Sequence, residues 1–356
     1  MTLPSDVLQS FVEMKSALPK GSPWPITTLS LCRNLSVAKF LPSLSKESKI
    51  ELLELISSRF QEAEEEFFIL PLKEMPLWQK EFLLEHFAFP YDLFGNHEAE
   101  ALITNRSGDL LIVVNFQDHL ILHAIDFYAD PEKTLEKLVK LDIFLHDKLS
   151  FAFSSEFGFL TVDPQRCGTA LQGRCFLHVP ALMYSKELPT LLEPSTEISS
   201  SGLLPSSPAD FSGNVVVLTN TCSLGLTEEQ ILSSLRIWAS KLLVAEAAAK
   251  KRFSDENNGE LKNHILRALG LLTHSCHLEL QETLDALSWL QLGIELNWIK
   301  NPKNHAIEKQ VLWEARRGHL ALQEPENSRD LQKEHVMHLR AHKLKTLAED
   351  FLPEEF

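Results

Sequence analysis

Residues 115–119 read Asn-Phe-Gln-Asp-His and close the apolar run Leu110-Leu111-Ile112-Val113-Val114. A polar turn at the end of a strand is a place where side chains can be presented for chemistry. Asp118 and His119 could carry charge or a proton, whereas Gln117 offers only an amide, without negative charge or basicity. A second polar group is Arg329-Asp330-Leu331-Gln332-Lys333. Arg329 could grip a phosphate through two parallel hydrogen bonds, Lys333 could add a point charge, and Asp330 could accept from a guanidinium. A solvated charge cluster at a helix start is the plainer alternative. His119 and His123 share one face of a strand, but four residues separate them by about 14 Å, too far to share a metal. His338 and His342 have the i,i+4 spacing that suits zinc on a helix, yet no third ligand accompanies them, so no metal is expected. No phosphate-cradling Gly-x-x-x-x-Gly-Lys loop or dinucleotide fingerprint occurs among only 13 glycines.

The elements that must position these groups can be read from periodicity. Residues 45–62 carry Ile50, Leu52, Leu53, Leu55 and Ile56 at helical spacing after a Ser/Pro-containing start, and 77–87 predict a second helix. From residue 100 the pattern changes to a meander of antiparallel strands, 101–103, 110–114 and 119–125, with the first two joined through Ser107-Gly108-Asp109. Residues 131–150 return to helix, with Leu135, Leu138, Val139, Leu141 and Leu145 as the buried stripe. Further strands are expected at 157–161, 172–179 and 214–220, and 194–213 reads as a mobile Ser/Pro-rich loop. Thr227-Glu228-Glu229-Gln230 fits a capping box opening a long helix to about residue 251, with Ile231, Leu232, Leu235, Trp238, Leu242 and Leu243 turned to the sheet. The polar stretch 250–259 marks the expected domain boundary, and helices at 261–272, 278–296 and 330–347 follow it. The division is 1–255, with a helical N-terminal part over about 1–95, and 256–356.

The 356 residues, 44% hydrophobic and 23% charged, suffice for a large core and two domains. No apolar run is long enough to span a bilayer, and residues 1–21 lack a basic start followed by a signal-type apolar stretch. A cytoplasmic location and no membrane association are expected. Five cysteines without paired short spacing argue against a disulfide framework or a zinc ribbon. The formal charge of −15 disfavours nucleic acid as a partner, because phosphate-backbone binding depends on clustered lysine and arginine.

Several blocks in one order resemble the ATP:guanidino phosphotransferases, and in particular bacterial protein arginine kinases of the McsB type, over nearly the whole chain. Residues 115–119 are similar to that family's Asn-Glu-Glu-Asp-His signature with both glutamates replaced. Ser30-Leu31-Cys32-Arg33-Asn34-Leu35, Gly158-Phe159-Leu160-Thr161 with Gly168-Thr169, His178-Val179-Pro180-Ala181-Leu182, the stretch from Gly213-Asn214 to Glu229, and Leu292-Gly293-Ile294-Glu295-Leu296 match further blocks. The resemblance implies an α+β fold: a large antiparallel sheet flanked by helices, with ATP and Mg²⁺ on the sheet, plus a C-terminal all-helical domain for dimerisation or phosphoarginine binding. It also implies a homodimer, a zinc-finger activator protein and arginine-phosphorylated proteins as partners, in protein quality control or a stress response.

The same resemblance exposes departures. The arginines expected around the phosphates fall at Thr28, Ser30, Ile121 and Gln172. The guanidinium-holding carboxylate falls at Gln117 and the reactive cysteine at Asp163, where a carboxylate could keep that subsite anionic. The flexible loop with the second acid falls in 200–208, which holds neither arginine nor acid. Phe176 lies where adenine is expected, and Arg166 and Arg174 are candidate relocated cations. Arg329, Asp330 and Lys333 resemble the start of the family's Arg-Asp-x-x-Arg-Ala phosphoarginine motif. The chain therefore reads as a pseudokinase acting as a regulator or scaffold; the alternatives are an active kinase with relocated phosphate-binding residues and a structural partner without ligand.

Overall fold

The computed structural model describes residues 3–14, 18–61, 63, 65–87, 99–128, 130–192, 196–204 and 209–354. In chain order it contains α1 (Ser5–Met14), β1 (Ile26–Arg33), α2 (Lys46–Phe60), β2 (Phe67–Pro71), α3 (Leu77–Glu85), β3 (Ala101–Asn105), β4 (Leu110–Val114), β5 (Leu120–Asp126) and α4 (Pro131–His146). There follow β6 (Phe153–Ser154), β7 (Gly158–Phe159), β8 (Leu171–His178), α5 (Pro180–Ser185), α6 (Leu188–Leu192), β9 (Ile198–Gly202), β10 (Val215–Asn220) and α7 (Glu228–Asp255). The C-terminal part holds α8 (Gly259–His274), α9 (Leu280–Glu295), β11 (Ile299–Lys300), α10 (Ile307–Lys309), α11 (Arg317–Ala321), α12 (Lys333–Ala348) and β12 (Leu352–Pro353).

Eight strands form one sheet in the order β2-β3-β4-β5-β1-β8-β10-β9, and every neighbouring pair is antiparallel. With helices around it, this is the expected α+β architecture. The central strands β1 and β5 are buried at every position, so both faces of the sheet are covered there. Helices α4 and α7 pack against one face. Helix α7 approaches β8 closely at Gly173, where a Cβ would stand 2.5 Å from Leu235 Cδ1. Thr227 caps α7 as its sequence predicts: its side chain accepts from Gln230 N, and the Gln230 side chain returns a bond to Thr227 N. Asp130 does the same service for α4 by accepting from Lys133 N.

Three expectations need correction. The N-terminal 95 residues are not simply helical, because they supply the central strand β1 and the edge strand β2. Thr28 and Ser30 break the apolar run of β1, and polar residues inside a doubly covered strand defeat a reading that equates polarity with exposure. The stretch 194–213 is not wholly loop: Ile198–Gly202 pairs with β10 as the outer strand of the sheet. Its serines suit an edge, since only one side of such a strand is hydrogen-bonded. Strand pairing within 157–161 shrinks to Gly158–Phe159, because Gly158 (φ 71°) turns the chain onto Gly168. The C-terminal part is helical apart from the short β11–β12 pairing. Among the described residues no helix is long and apolar enough to cross a membrane.

Candidate functional site

The polar turn after β4 is held from several directions. Asn115 adopts a left-handed backbone (φ 60°), and its amide donates to the carbonyls of Lys49 (2.8 Å) and Ala99 (2.9 Å). Asp118, 4% exposed, accepts through Oδ1 from Asn34 Nδ2 (2.6 Å) and from Val162 N (2.9 Å). The His119 ring accepts Leu35 N at Nδ1 (3.0 Å) and donates from Nε2 to Lys39 O (2.9 Å). That arrangement requires a neutral ring, and burial lowers its pKa in the same sense. The three residues are thus occupied with backbone and side-chain bonds of the fold. Gln117 alone points outward and is exposed.

Asp118 also brings the turn beside the segment that carries Asp163. Asp163 is exposed, accepts from Gln165 N (3.1 Å) as the cap of a short turn, and lies 3.5 Å from Arg166 Nε. A local cap and an ion pair therefore use its carboxylate. Cys167 ends that turn, with its Sγ 3.7 Å from Thr161 Oγ1, and Cys32 lies beside Asp118, where burial, aided by that charge, pushes its thiol up to about 12, so Cys32 is not a nucleophile near neutral pH.

The positions at which phosphate-binding arginines were expected do converge. Strand register sets Thr28 opposite Ile125 and Arg174, Ser30 opposite His123 and Gln172, and Cys32 opposite Ile121. Because side chains alternate along a strand, Thr28, Ser30, Ile121, Gln172 and Phe176 share one face with His123 and Arg174. Thr28, Ser30, Ile121, Gln172 and Phe176 are each no more than 7% exposed. Ser30 Oγ lies 2.8 Å from His123 Nδ1, whose ring is held by Phe87 O at 2.7 Å from Nε2. Burial pulls His123 down to about 4, so it stays neutral.

Phe87 packs against one part of this face. Its ring centroid is 4.7 Å from that of Phe176, and Trp313 and Arg316 from the C-terminal part lie against Phe87 at 6.4 and 5.6 Å. Trp313 is fully buried, with Phe127 5.8 Å away. Phe176 is therefore core packing against an aromatic side chain. Arg316 is also buried; burial lowers its pKa to about 10, and the charge of Glu85 partly offsets this. At the four positions where the resemblance places cations this face carries neutral side chains, while Arg174 lies on the same face and Phe87 packs against Phe176 and His123.

The remaining candidates are placed apart. Arg329 stacks on Trp78 (4.6 Å) and donates from Nε to Glu324 O (3.1 Å), while Lys333, in the first turn of α12, pairs with Glu279 (3.0 Å). Asp330 lies close enough to Glu81 to raise that group's pKa, after burial as the main cause. Arg329 and Lys333 thus face different partners. His338 rests against the carbonyl of Cys276 (Nδ1 to O, 3.3 Å). Of 200–208, residues 200–202 lie in β9 and 205–208 are outside the described residues.

Two buried polar clusters had no signal in the sequence. Glu85, pushed up to about 7 by burial, accepts from Gly318 N (2.9 Å), His319 N (3.1 Å) and the His319 ring (2.9 Å), tying α3 to α11. Glu246 on α7 accepts from Ala181 N (3.0 Å) and Leu182 N (2.9 Å), and Lys250 bridges it (3.2 Å) to Glu295 on α9 (2.6 Å). Helical spacing links Glu246 to Lys250; no local pattern announces the partners from other elements.

Residues 36–249 match the family model of the ATP:guanido phosphotransferase C-terminal catalytic domain, and residues 258–354 match that of the protein-arginine kinase McsB C-terminal domain. Over its whole length the chain is 61% identical to all of a protein-arginine kinase of Chlamydia pneumoniae. It is 52% identical to one of Chlamydia muridarum, with 98% of each chain covered. Among solved structures, a duplicated taurocyamine kinase from Schistosoma mansoni aligns with a TM-score of 0.56 at 20% identity, over 73% of this chain and 37% of that one. A lombricine kinase aligns with a TM-score of 0.55 at 16% identity, over 66% of this chain and 70% of that one. These two likenesses concern the fold.

Proposed function

Because the chain belongs to the ATP:guanido phosphotransferase family, with a protein-arginine kinase C-terminal domain, we propose that it is a degenerate protein-arginine kinase homologue that acts by binding, as a regulator or scaffold. The observation that carries this reading is the composition and burial of the expected phosphate face, where Thr28, Ser30, Ile121 and Gln172 are neutral and buried and Phe87 packs against the adjacent Phe176 and His123. A hydrogen bond to a charged group is worth about 1.5–3 kcal/mol, so four absent arginines remove on the order of 6–12 kcal/mol before non-additivity. Each 1.36 kcal/mol is about tenfold in rate, so the loss reaches roughly 10⁴-fold or more. Replacing the base with Gln117 removes a further factor of about 10²–10⁴. Phosphoryl transfer rests on positioning and charge neutralisation, and both are deficient here.

In this reading residues 1–255 and 256–356 remain the two functional units, the protein is a cytoplasmic homodimer, and a zinc-finger activator or arginine-phosphorylated proteins are its partners. Arg329, Asp330 and Lys333 would then need to turn from Trp78 and Glu279 to receive a phosphoarginine. The decisive experiment incubates the purified protein with Mg·ATP and an arginine-rich protein and looks for acid-labile phosphate by mass spectrometry. No transfer is expected. Turnover that disappears on changing Gln117 or Asp163 would overturn the proposal.

A second reading, an active kinase with relocated cations, is favoured by one observation. Arg174 stands two residues beyond Gln172 on β8 and therefore on the same face, opposite Thr28 and Thr219. Calorimetry separates the two: heat of Mg·ATP binding that is lost in Arg174→Gln supports this second reading.

A further inference from the structure

Helix α7 runs for 28 residues across β8 and β10, and Leu235, Leu242 and Phe253 bury its inner side. The outer side of such a surface helix ordinarily carries charged residues towards water. Here Ile237 and Val244 stand 64% and 70% exposed, and exposed Ser240, Ala247 and Ala248 fill the positions around them. Spacings of three and four residues join Ser233, Ile237, Ser240, Val244, Ala247 and Lys251 into one continuous exposed stripe. On a chain with a formal charge of −15, this outward face holds no acid from Ile237 to Ala248.

The cations of α7 are turned away from the stripe. Lys241 Nζ donates to Leu191 O (2.9 Å) and lies 4.3 Å from the Trp238 ring centroid. Arg236 pairs with Glu132, Lys250 with Glu246 and Glu295, and Arg252 with Glu187. Two charges at opposite ends of the helix are left over. Among the described residues neither Glu229, in the first turn, nor Lys251, in the last part of the helix, has an ion-pair partner.

A stripe that alternates β-branched and small residues is complementary to itself run in the opposite direction. In the antiparallel register that sets Ile237 against Ala247 of a second copy, Val244 falls against Ser240 and Ser233 against Lys251. Each large side chain then meets a small one, and the layers interdigitate as in a coiled coil. The same direction brings Glu229 of each copy within about one helical turn of Lys251 of the other and opposes the helix dipoles. A parallel pair would instead set Val244 on Val244 and Lys251 on Lys251. The 28 residues give a face about 40 Å long at 1.5 Å per residue. With a width of about 10 Å it offers roughly 400 Å² per copy, half of what a standard interface takes from each partner, so the pairing is concentration-dependent rather than obligate.

We propose that the outer face of α7 is a self-association surface, on which a second copy of this chain seats its own α7 antiparallel about the Ser240–Val244 segment. The C-terminal helices, to which the resemblance assigns dimerisation, take no part in this face. Nor does it need nucleotide or the Thr28–Ser30 sheet face, so its failure would leave the proposal of a degenerate kinase untouched. The test is sedimentation velocity of the full chain from low-micromolar to submillimolar concentration. The mass of the species present at the lowest concentration is expected to double as concentration rises. In Val244→Glu this step should be at least tenfold weaker, with circular dichroism and thermal melting verifying that the surface variant folds. Glu229→Lys and Lys251→Glu should each weaken it at least threefold alone, while an equimolar mixture of the two variants should associate as tightly as wild type. A mass that stays constant over the whole range would overturn the proposal. Association unchanged in Val244→Glu would also overturn it, by giving the pairing to another face, and a mixture no tighter than the single variants would overturn the antiparallel arrangement on which it rests.

Discussion

Asp118 and His119 sit in the turn where the sequence directs attention, and their bonds are those of a fastening. Asp118 joins Asn34 and Val162 through one oxygen, so it holds three chain segments together. Asp118→Ala should cost about 2–3 kcal/mol, the loss of charge-assisted bonds plus an exposed backbone donor, and urea unfolding would measure it. A cost below about 0.5 kcal/mol would contradict the structural role, that being the ordinary range for surface substitutions. Two other residues give the molecule an acid limit. His123 and His178 are each lowered from 6.5 to about 4 by burial. The unfolded chain takes up these protons near pH 6.5 while the folded one resists to about 4, so their stabilisation is complete above 6.5 and is lost as pH falls through the folded value. Each contributes a slope of up to about 1.4 kcal/mol per pH unit in that window. In His178→Asn the slope of unfolding free energy against pH should be shallower by about that amount; curves parallel to wild type would refute the assignment.

At the scale of elements, two contacts secure the C-terminal helices to the sheet domain. Gly318 of α11 lies against the backbone of α3, where a Cβ would stand 2.4 Å from Phe82 N. Gly318→Ala should therefore separate α3 from α11 and cost about 2–4 kcal/mol, more than ordinary overpacking because the obstacle is backbone. Protection of α3 and α11 amides from hydrogen exchange should fall before that of β1 and β5. Lys250 is the cation between Glu246 and Glu295, and Lys250→Met leaves two carboxylates facing one another across α7 and α9. A loss of about 3 kcal/mol is expected from breaking a buried ion pair on one side. Urea midpoints would show it, and restoration by adding Glu246→Gln would confirm that charge rather than packing is responsible.

For the whole molecule, the reading proposed above rests on the burial of Thr28, Ser30, Ile121 and Gln172 in the sheet. Mg·ATP should accordingly leave the thermal midpoint unchanged, since a ligand stabilises only through binding to the folded state. A rise that disappears in Arg174→Gln would instead favour the second reading.

Much of the arrangement was legible in the chain. The capping box at Thr227, the meander from Ala101 to Asp126 and three of the five stripe residues on α4, Leu138, Leu141 and Leu145, rest on local spacing and the structure bears them out, whereas Val139 of that stripe is 38% exposed and Leu135 only partly buried. The order of matching blocks carried the fold, and the replaced residues at Thr28, Ser30, Ile121 and Gln172 were visible as substitutions. What the sequence could not show was their surroundings. Strand register put them on one face with Arg174, Phe87 packed against the Phe176 end of that face with Trp313 behind it, from segments distant in the chain, and β1 hid its identity because polar residues inside a doubly covered strand look solvent-facing. The partners of Glu85 and Glu246 likewise depend on which elements meet. Residue types and local periods are properties of short stretches of chain, whereas burial, charge compensation and cavity shape are properties of contacts, and only the tertiary structure decides those.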